Sequence, residues 1–214
     1  MQAVLFDLDG TLVDTAPDLG YALNLQRARH GLPFLDDEII RPYASHGSRG
    51  LLAIGFGLQP ADADFDAMRE EYLALYTEVM TRQPVLFEGM SETLEAIEQR
   101  GLRWGIVTNK PRRFTLPIVE VLGLSGRAVA VVSGDDAPQP KPSPQTLFLA
   151  CERMQLEPQQ AIYLGDAERD VQAGQAAGMT TLVALFGYLS DEDQPLQWGA
   201  NACIAHPQEL LHYL

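Results

Sequence analysis

Residues 3–11 read AVLFDLDGT, four apolar residues running straight into two acids one residue apart and a glycine. An unbroken apolar run suits a strand buried on both faces, as in a parallel sheet, and lacks the alternation of a half-exposed hairpin. Four more runs rich in Val, Ile and Leu recur at 104–107, 128–132, 161–164 and 181–185. Helical stretches separate them: 91–100 closes on Gly101, 114–122 on Gly123 and 170–177 on Gly178, while 144–154 repeats its apolar residues at helical spacing. Strand and helix in alternation predict an α/β fold built on a doubly wound parallel sheet.

Residues 15–83 interrupt that alternation, with no convincing strand and several helical patterns. A helix is predicted over 17–29, with shorter ones around Asp37 and Arg49. Phe65, Met68, Tyr72, Leu75 and Val79 form one stripe at intervals of three and four, the core of a small helical bundle. The predicted organisation is therefore a core of residues 1–14 and 84–214 with a helical cap of residues 15–83, hinged near 14–17 and 81–84.

At 214 residues and 46% hydrophobic, the chain can bury a sizeable core. A formal charge of −14 argues against general nucleic-acid binding, which draws its affinity from cationic contacts to phosphate. Cys151 and Cys203 have neither CxxC nor Cys/His spacing, so neither a structural zinc nor a disulfide framework is expected. The opening MQAVLFDLDG has no basic segment, and no run approaches the ~20 apolar residues that span a bilayer, so a cytoplasmic protein without a membrane partner is expected.

In open α/β sheets ligands sit beyond the carboxyl ends of the strands. Here those positions are strongly polar: Asp7, Asp9, Gly10 and Thr11 after the first strand; Thr108, Asn109 and Lys110 after the second; Asp135 and Asp136 leading to Lys141 after the third; Gly165, Asp166 and Asp170 after the fourth. The group suits phosphoryl transfer, in which a protein mainly positions groups and neutralises charge. Asp7 is the expected nucleophile and Asp9 the proton donor and base. Several carboxylates around a phosphate dianion call for a cation, and Mg2+ would take the Asp7 carboxylate, the Asp9 carbonyl and Asp166. Thr108 and the Asn109 amide would bind phosphoryl oxygens, and Lys141 would add positive charge. Only two of the fifteen cationic residues are lysines, Lys110 and Lys141, and both fall at this site. A Pro-rich stretch, 138–144, is expected to hold Lys141 in an extended loop; Lys110 stands open between a site role and a solvated helix start.

DLDGT at 7–11, Thr108-Asn109, Lys141 in KPSP, and GDAERD at 165–170 resemble, in order, the four motifs of the haloacid-dehalogenase superfamily. The resemblance spans the chain and implies a Rossmannoid core, a mobile flap after Asp9 and a helical cap closing over the site. Dehalogenases of this superfamily lack the second acid, so Asp9 favours phosphate chemistry. Phosphonate-cleaving relatives use a cap lysine, and residues 15–109 contain none. Sugar phosphomutases share the acid pair and stay open as an alternative, although the pattern is closer to the phosphoglycolate phosphatase branch. The stretch GYLSDEDQPLQWGA at 187–200, with EGM at 88–90 and VTNKPRRF, is similar to the N-acetylmuramic acid 6-phosphate phosphatases, which favours that sugar acid over phosphoglycolate as the small phosphorylated metabolite.

Specificity is expected on the cap, where His46, Gly47, Ser48 and Arg49 combine a turn, backbone donors and a bidentate cation suited to a carboxylate. Arg112 and Arg113 read as a solvated helix start and Trp198 as tail packing. A receiver domain phosphorylated on aspartate is the non-enzymatic alternative; it has no large insertion after its first strand and gives Asp9 no purpose. The sequence is compatible with monomer and dimer alike.

Overall fold

The computed structural model describes residues 1–214. Its strands are β1 (Ala3–Phe6), β2 (Val13–Asp14), β3 (Val85–Leu86), β4 (Arg103–Val107), β5 (Ala130–Val132), β6 (Ala161–Gly165), β7 (Thr180–Ala184) and β8 (Ala202–Ile204). Its helices are α1 (Ala16–Arg29), α2 (Asp37–Ile40), α3 (Gly47–Phe56), α4 (Phe65–Val79), α5 (Met90–Gln99), α6 (Arg112–Val121), α7 (Gln145–Met154) and α8 (Glu168–Ala177). Six strands form one sheet in the order β5-β4-β1-β6-β7-β8, and every pairing within it is parallel.

The chain winds outward from β1 through β4 and β5, returns to β6, and winds the other way through β7 and β8. That reversal opens a crevice beyond the carboxyl ends of β1 and β6, where such sheets bind ligands. Successive side chains of a strand face opposite sides. Val4 and Phe6 thus join Trp104, Ile106, Ile162 and Leu164 under α5 and α6. Ala3 and Leu5 join Val107, Ala161 and Tyr163 under α7 and α8. Both faces are covered, the environment in which continuous apolar runs are stable.

All five expected strands are present, with ends shifted by up to two residues. The sheet gains a sixth, β8, whose three residues carry too little pattern to be read; Leu182, Val183 and Ala184 pair with Ala202, Cys203 and Ile204. A two-stranded antiparallel ribbon was likewise not foreseen. It pairs Val13 with Leu86 and Asp14 with Val85, tying together the points where the chain leaves the sheet and returns.

Between those points α1 to α4 pack around their own buried cluster, including Leu19, Leu23, Leu51, Leu52, Tyr72, Leu75 and Tyr76. Of the predicted stripe, Phe65, Tyr72, Leu75 and Val79 are buried and Met68 packs against them. Phe114 and Tyr188 from the sheet unit join this cluster. No helix is long and apolar enough to cross a membrane.

Candidate active site

Asp7 is the first residue past β1, and its backbone N–H still bonds Leu164 O (2.9 Å), so the sheet fixes its position. Lys141 lies opposite, its side chain fully buried, with Nζ 2.9 Å from Asp7 Oδ1 and 2.7 Å from Asp170 Oδ1. The ammonium also donates to Val107 O (3.1 Å) and to the Tyr163 hydroxyl (2.7 Å). Asp170 turns its other oxygen to the Ala167 N–H (3.1 Å) at the start of α8. Burial raises the Asp7 pKa above the usual carboxylate value, against the pull of Lys141. Burial acts the same way on Asp170, but Lys141 and Arg169 outweigh it and hold that carboxyl below its ordinary value.

Asp166 follows β6. Its Oδ2 accepts the Tyr188 N–H (2.9 Å) and the Ser45 hydroxyl (2.7 Å). Its Oδ1 is buried and has no hydrogen-bond donor. Burial, reinforced by the charges of Asp7 and Asp170, pushes its pKa up to about 7. Carboxylate oxygens of Asp7, Asp166 and Asp170 lie within 4.8 Å of one another. Lys141 supplies one positive charge to three buried acids, one with an orphaned oxygen, so the remainder needs protons or a further cation, and an all-oxygen donor set fits a hard divalent ion such as Mg2+. The backbone is shaped around the same carboxylate. Gly10, at φ +82°, would place a Cβ 2.0 Å from Asp166 Oδ2, and a Cβ on Gly187 would lie 2.3 Å from Asp166 Cβ.

The Asp9 side chain is absent from that cluster. Its Oδ1 meets Lys110 Nζ at 2.8 Å and accepts the Thr15 hydroxyl. Lys110 is buried, its ammonium 4.8 Å from the centre of the Tyr76 ring, so it belongs to the site and is no solvated helix start. Thr108 Oγ1 accepts the Lys110 N–H (3.1 Å), leaving its own proton for another acceptor. The Asn109 side-chain amide grips the Lys141 backbone in both directions, accepting from its N–H (2.8 Å) and donating to its C=O (2.9 Å). That amide therefore positions the lysine loop. Asp135 and Asp136, by contrast, serve the Arg112 N–H and guanidinium, so they anchor α6.

A cavity of about 740 Å3 separates this floor from the helical insert. Asp7, Asp9, Thr108, Asn109 and Lys110 line it from the sheet side; His46, Gly47, Ser48 and Arg49 line it from the insert. Trp198 is outside its lining. Burial and then the charge of Arg169 lower the His46 pKa, with Asp193 acting the opposite way.

Three contributions are not among those expected from the sequence: those of Arg169 and Tyr188, and the contact that the Ser45 side chain makes. Arg169 lines the cavity and donates to Ser45 O (2.9 Å). Ser45 carries the insert onto Asp166. Tyr188 receives the Thr15 and Ala16 N–H groups on its hydroxyl (2.7 and 2.9 Å) and donates to Asp14 (2.8 Å), while its backbone serves Asp166. The signal for Tyr188 was the rule already applied to the other strands, because it follows the carboxyl end of β7.

Residues 4–184 match the family model described as haloacid dehalogenase-like hydrolase. The chain is 42% identical over 210 residues to an N-acetylmuramic acid 6-phosphate phosphatase of Pseudomonas putida, covering 98% of this chain and 94% of that one. It is 40% identical over 209 residues to a phosphoglycolate phosphatase of Xanthomonas campestris, with 98% and 94% covered. A crystal structure from Haemophilus somnus, titled a predicted phosphoglycolate phosphatase, superposes with a TM-score of 0.85 at 24% identity over 100% of this chain and 97% of its own, a likeness of fold. With matched sequence over most of its length and the same sheet, the chain belongs to the haloacid dehalogenase-like hydrolase family.

Proposed function

We propose that the chain is a magnesium-dependent phosphatase that hydrolyses a phosphomonoester of a small metabolite through an aspartyl-phosphate on Asp7. One observation carries this most directly: Asp7 sits buried against Lys141, within 4.8 Å of Asp166 and Asp170, on the floor of a cavity large enough for a metabolite.

Asp7 attacks phosphorus, an oxygen–phosphorus bond forms, and the ester oxygen leaves with a proton from Asp9. Lys110 and Thr15 hold Asp9 by Oδ1, and Oδ2 takes part in neither bond, so it is the oxygen left for proton exchange. Asp9 then takes a proton from water, which attacks the same phosphorus and frees Asp7 and inorganic phosphate. Thr108 donates its hydroxyl to a phosphoryl oxygen, and Lys141, held by Asn109, neutralises charge on Asp7 and the transferring group. Asp7, Asp166 and the Asp9 carbonyl would hold Mg2+, with Asp170 keeping Lys141 in place; the ion supplies charge neutralisation for the phosphoryl group. Residues 15–83 act as a cap over residues 1–14 and 84–214, opening at the β2–β3 ribbon.

N-acetylmuramic acid 6-phosphate is the favoured substrate. The 42% identity to the Pseudomonas putida enzyme supports it, and a cavity of about 740 Å3 is roomy for a two-carbon acid. Phosphoglycolate is the second reading, supported by the Xanthomonas campestris relative. The two molecules share a chemistry, one phosphomonoester and one carboxylate. A cytoplasmic, freely diffusing metabolite goes with this assignment. A phosphate-release screen with Mg2+ across sugar phosphates, sugar acid phosphates and phosphoglycolate tests it: steady turnover, greatest on the muramic ester, is expected, and single stoichiometric phosphorylation without turnover would instead indicate a receiver.

A further inference from the structure

We propose that Arg49 and Arg69, on neighbouring helices of the insert, together form a receptor for a carboxylate on the part of the substrate remote from phosphorus. The inference rests on the phosphatase assignment and deepens it by adding Arg69 as a second cation that selects the carboxylate.

The argument starts from the partners of the cations. The chain has 15 Lys plus Arg against 29 Asp plus Glu, so acids are abundant. Thirteen of the fifteen have a partner. Arg29, Arg41, Lys110, Arg112, Arg127, Lys141 and Arg153 pair with carboxylates. Arg27, Arg100, Arg103 and Arg169 donate to backbone carbonyls. Arg82 and Arg113 lie over the rings of Tyr21 and Phe114. Only Arg49 and Arg69 have no acid, carbonyl or ring, and both line the one cavity that holds Asp7.

Their placement is orderly. Arg49 is in the first turn of α3 and Arg69 in the second turn of α4, and these helices pack against each other. Gln59, on the segment joining them, lines the same cavity and offers a neutral donor and acceptor for an amide or hydroxyl. The sheet-side cations cannot fill this role, because Lys141 and Lys110 are already bonded to acids of the floor and Arg169 to the Ser45 carbonyl of the insert. A planar guanidinium matches a carboxylate with two parallel hydrogen bonds, and two of them outweigh a local field that is otherwise acidic. A phosphoryl group held at Asp7 would thus leave its carboxylate facing the insert.

The test uses a matched pair of esters: N-acetylmuramic acid 6-phosphate, and N-acetylglucosamine 6-phosphate, the same sugar phosphate with a hydroxyl in place of the lactyl ether. With Mg2+, the wild type should prefer the acid. Arg69→Ala, at an exposed position, should lower kcat/KM for the acid roughly tenfold to hundredfold, mainly through KM, and far more than for the neutral ester, as expected for loss of a charge-assisted hydrogen bond. Arg69→Lys should recover part of the loss, and Arg49→Ala should show the same selectivity. Equal losses on both esters, no loss on the acid, or a wild type indifferent to the carboxylate would each overturn the receptor. Turnover of an aryl phosphate alongside any of these leaves the phosphatase assignment standing. No release from any ester, aryl phosphate included, would remove the assignment and the receptor together.

Discussion

On the sheet side of the cavity every cation already has an anion or carbonyl: Lys141 between Asp7 and Asp170, Lys110 on Asp9, Arg169 on Ser45 O. On the insert side Arg49 and Arg69 are exposed and have no such partner. The difference follows from where water can reach. In the dry floor an unpaired charge costs several kcal/mol, so every cation of the floor is paired, and the one group left over is the Asp166 carboxyl with its orphaned Oδ1. On the wetter roof an unpaired guanidinium costs little, and it can wait for an anion. On the proposed reading the floor fixes which reaction occurs, and the roof governs what enters.

The largest break in that contrast should come from Asp7→Asn, nearly isosteric but a poor nucleophile. Turnover should fall by at least about a thousandfold on every ester, aryl phosphate included, while circular dichroism stays that of the wild type. A smaller loss, or one confined to one substrate, would place Asp7 among the selecting groups instead of the reacting ones.

Lys141→Ala should cost both activity and stability. It leaves Asp7 and Asp170 buried without their shared cation, a penalty of about 3–5 kcal/mol, or roughly 6–20 °C in Tm for a chain of this size. Thermal unfolding of the variant checks this, and an unchanged Tm would mean the floor is wetter than described.

The floor should also respond to pH. The folded pKa of Asp166 is raised to about 7, so between about pH 4 and 7 the folded state binds more protons than the unfolded chain, and stability falls as pH rises through that window. Chelated protein should lose Tm from pH 5 to 8, and Mg2+ should return most of it at pH 8. A flat profile in chelator would contradict the crowded acids.

Tyr188→Phe sharpens the boundary between the two regions. It keeps the ring beside Phe87 and removes the hydroxyl that serves Thr15, Ala16 and Asp14 where the chain enters the insert. Stranding the Thr15 N–H and leaving Ala16 N–H only its longer bond to Asp14 Oδ1 (3.3 Å) should cost about 1–3 kcal/mol and lower kcat several-fold with a smaller change in KM.

The sheet was legible because buried parallel strands write themselves as apolar runs, and because the polar residues after them cluster in short, ordered motifs. The same logic explains the omissions. β8 has three residues, two of them half-buried, and the β2–β3 ribbon has two per strand, so neither has a period to detect. Ser45 and Asp166 are 121 positions apart, and Tyr188 reaches back 173 to Thr15, contacts created by docking and invisible to local pattern. Arg169 lies within the 165–170 motif, yet its direction depends on how α8 starts. The place of Asn109 after a strand makes its amide an expected phosphate donor, and the bonds of its side chain to the Lys141 backbone 32 positions away come in addition, from tertiary packing.

The central claim is a phosphoryl group carried on Asp7. Rapid acid quench of the enzyme with Mg2+ and a turning-over ester, followed by peptide mass spectrometry, should find a phosphoryl adduct on the peptide containing Asp7, removed by hydroxylamine and absent from Asp7→Asn. An active wild-type enzyme that yields no adduct at any quench time, or yields one on another residue, would contradict the account.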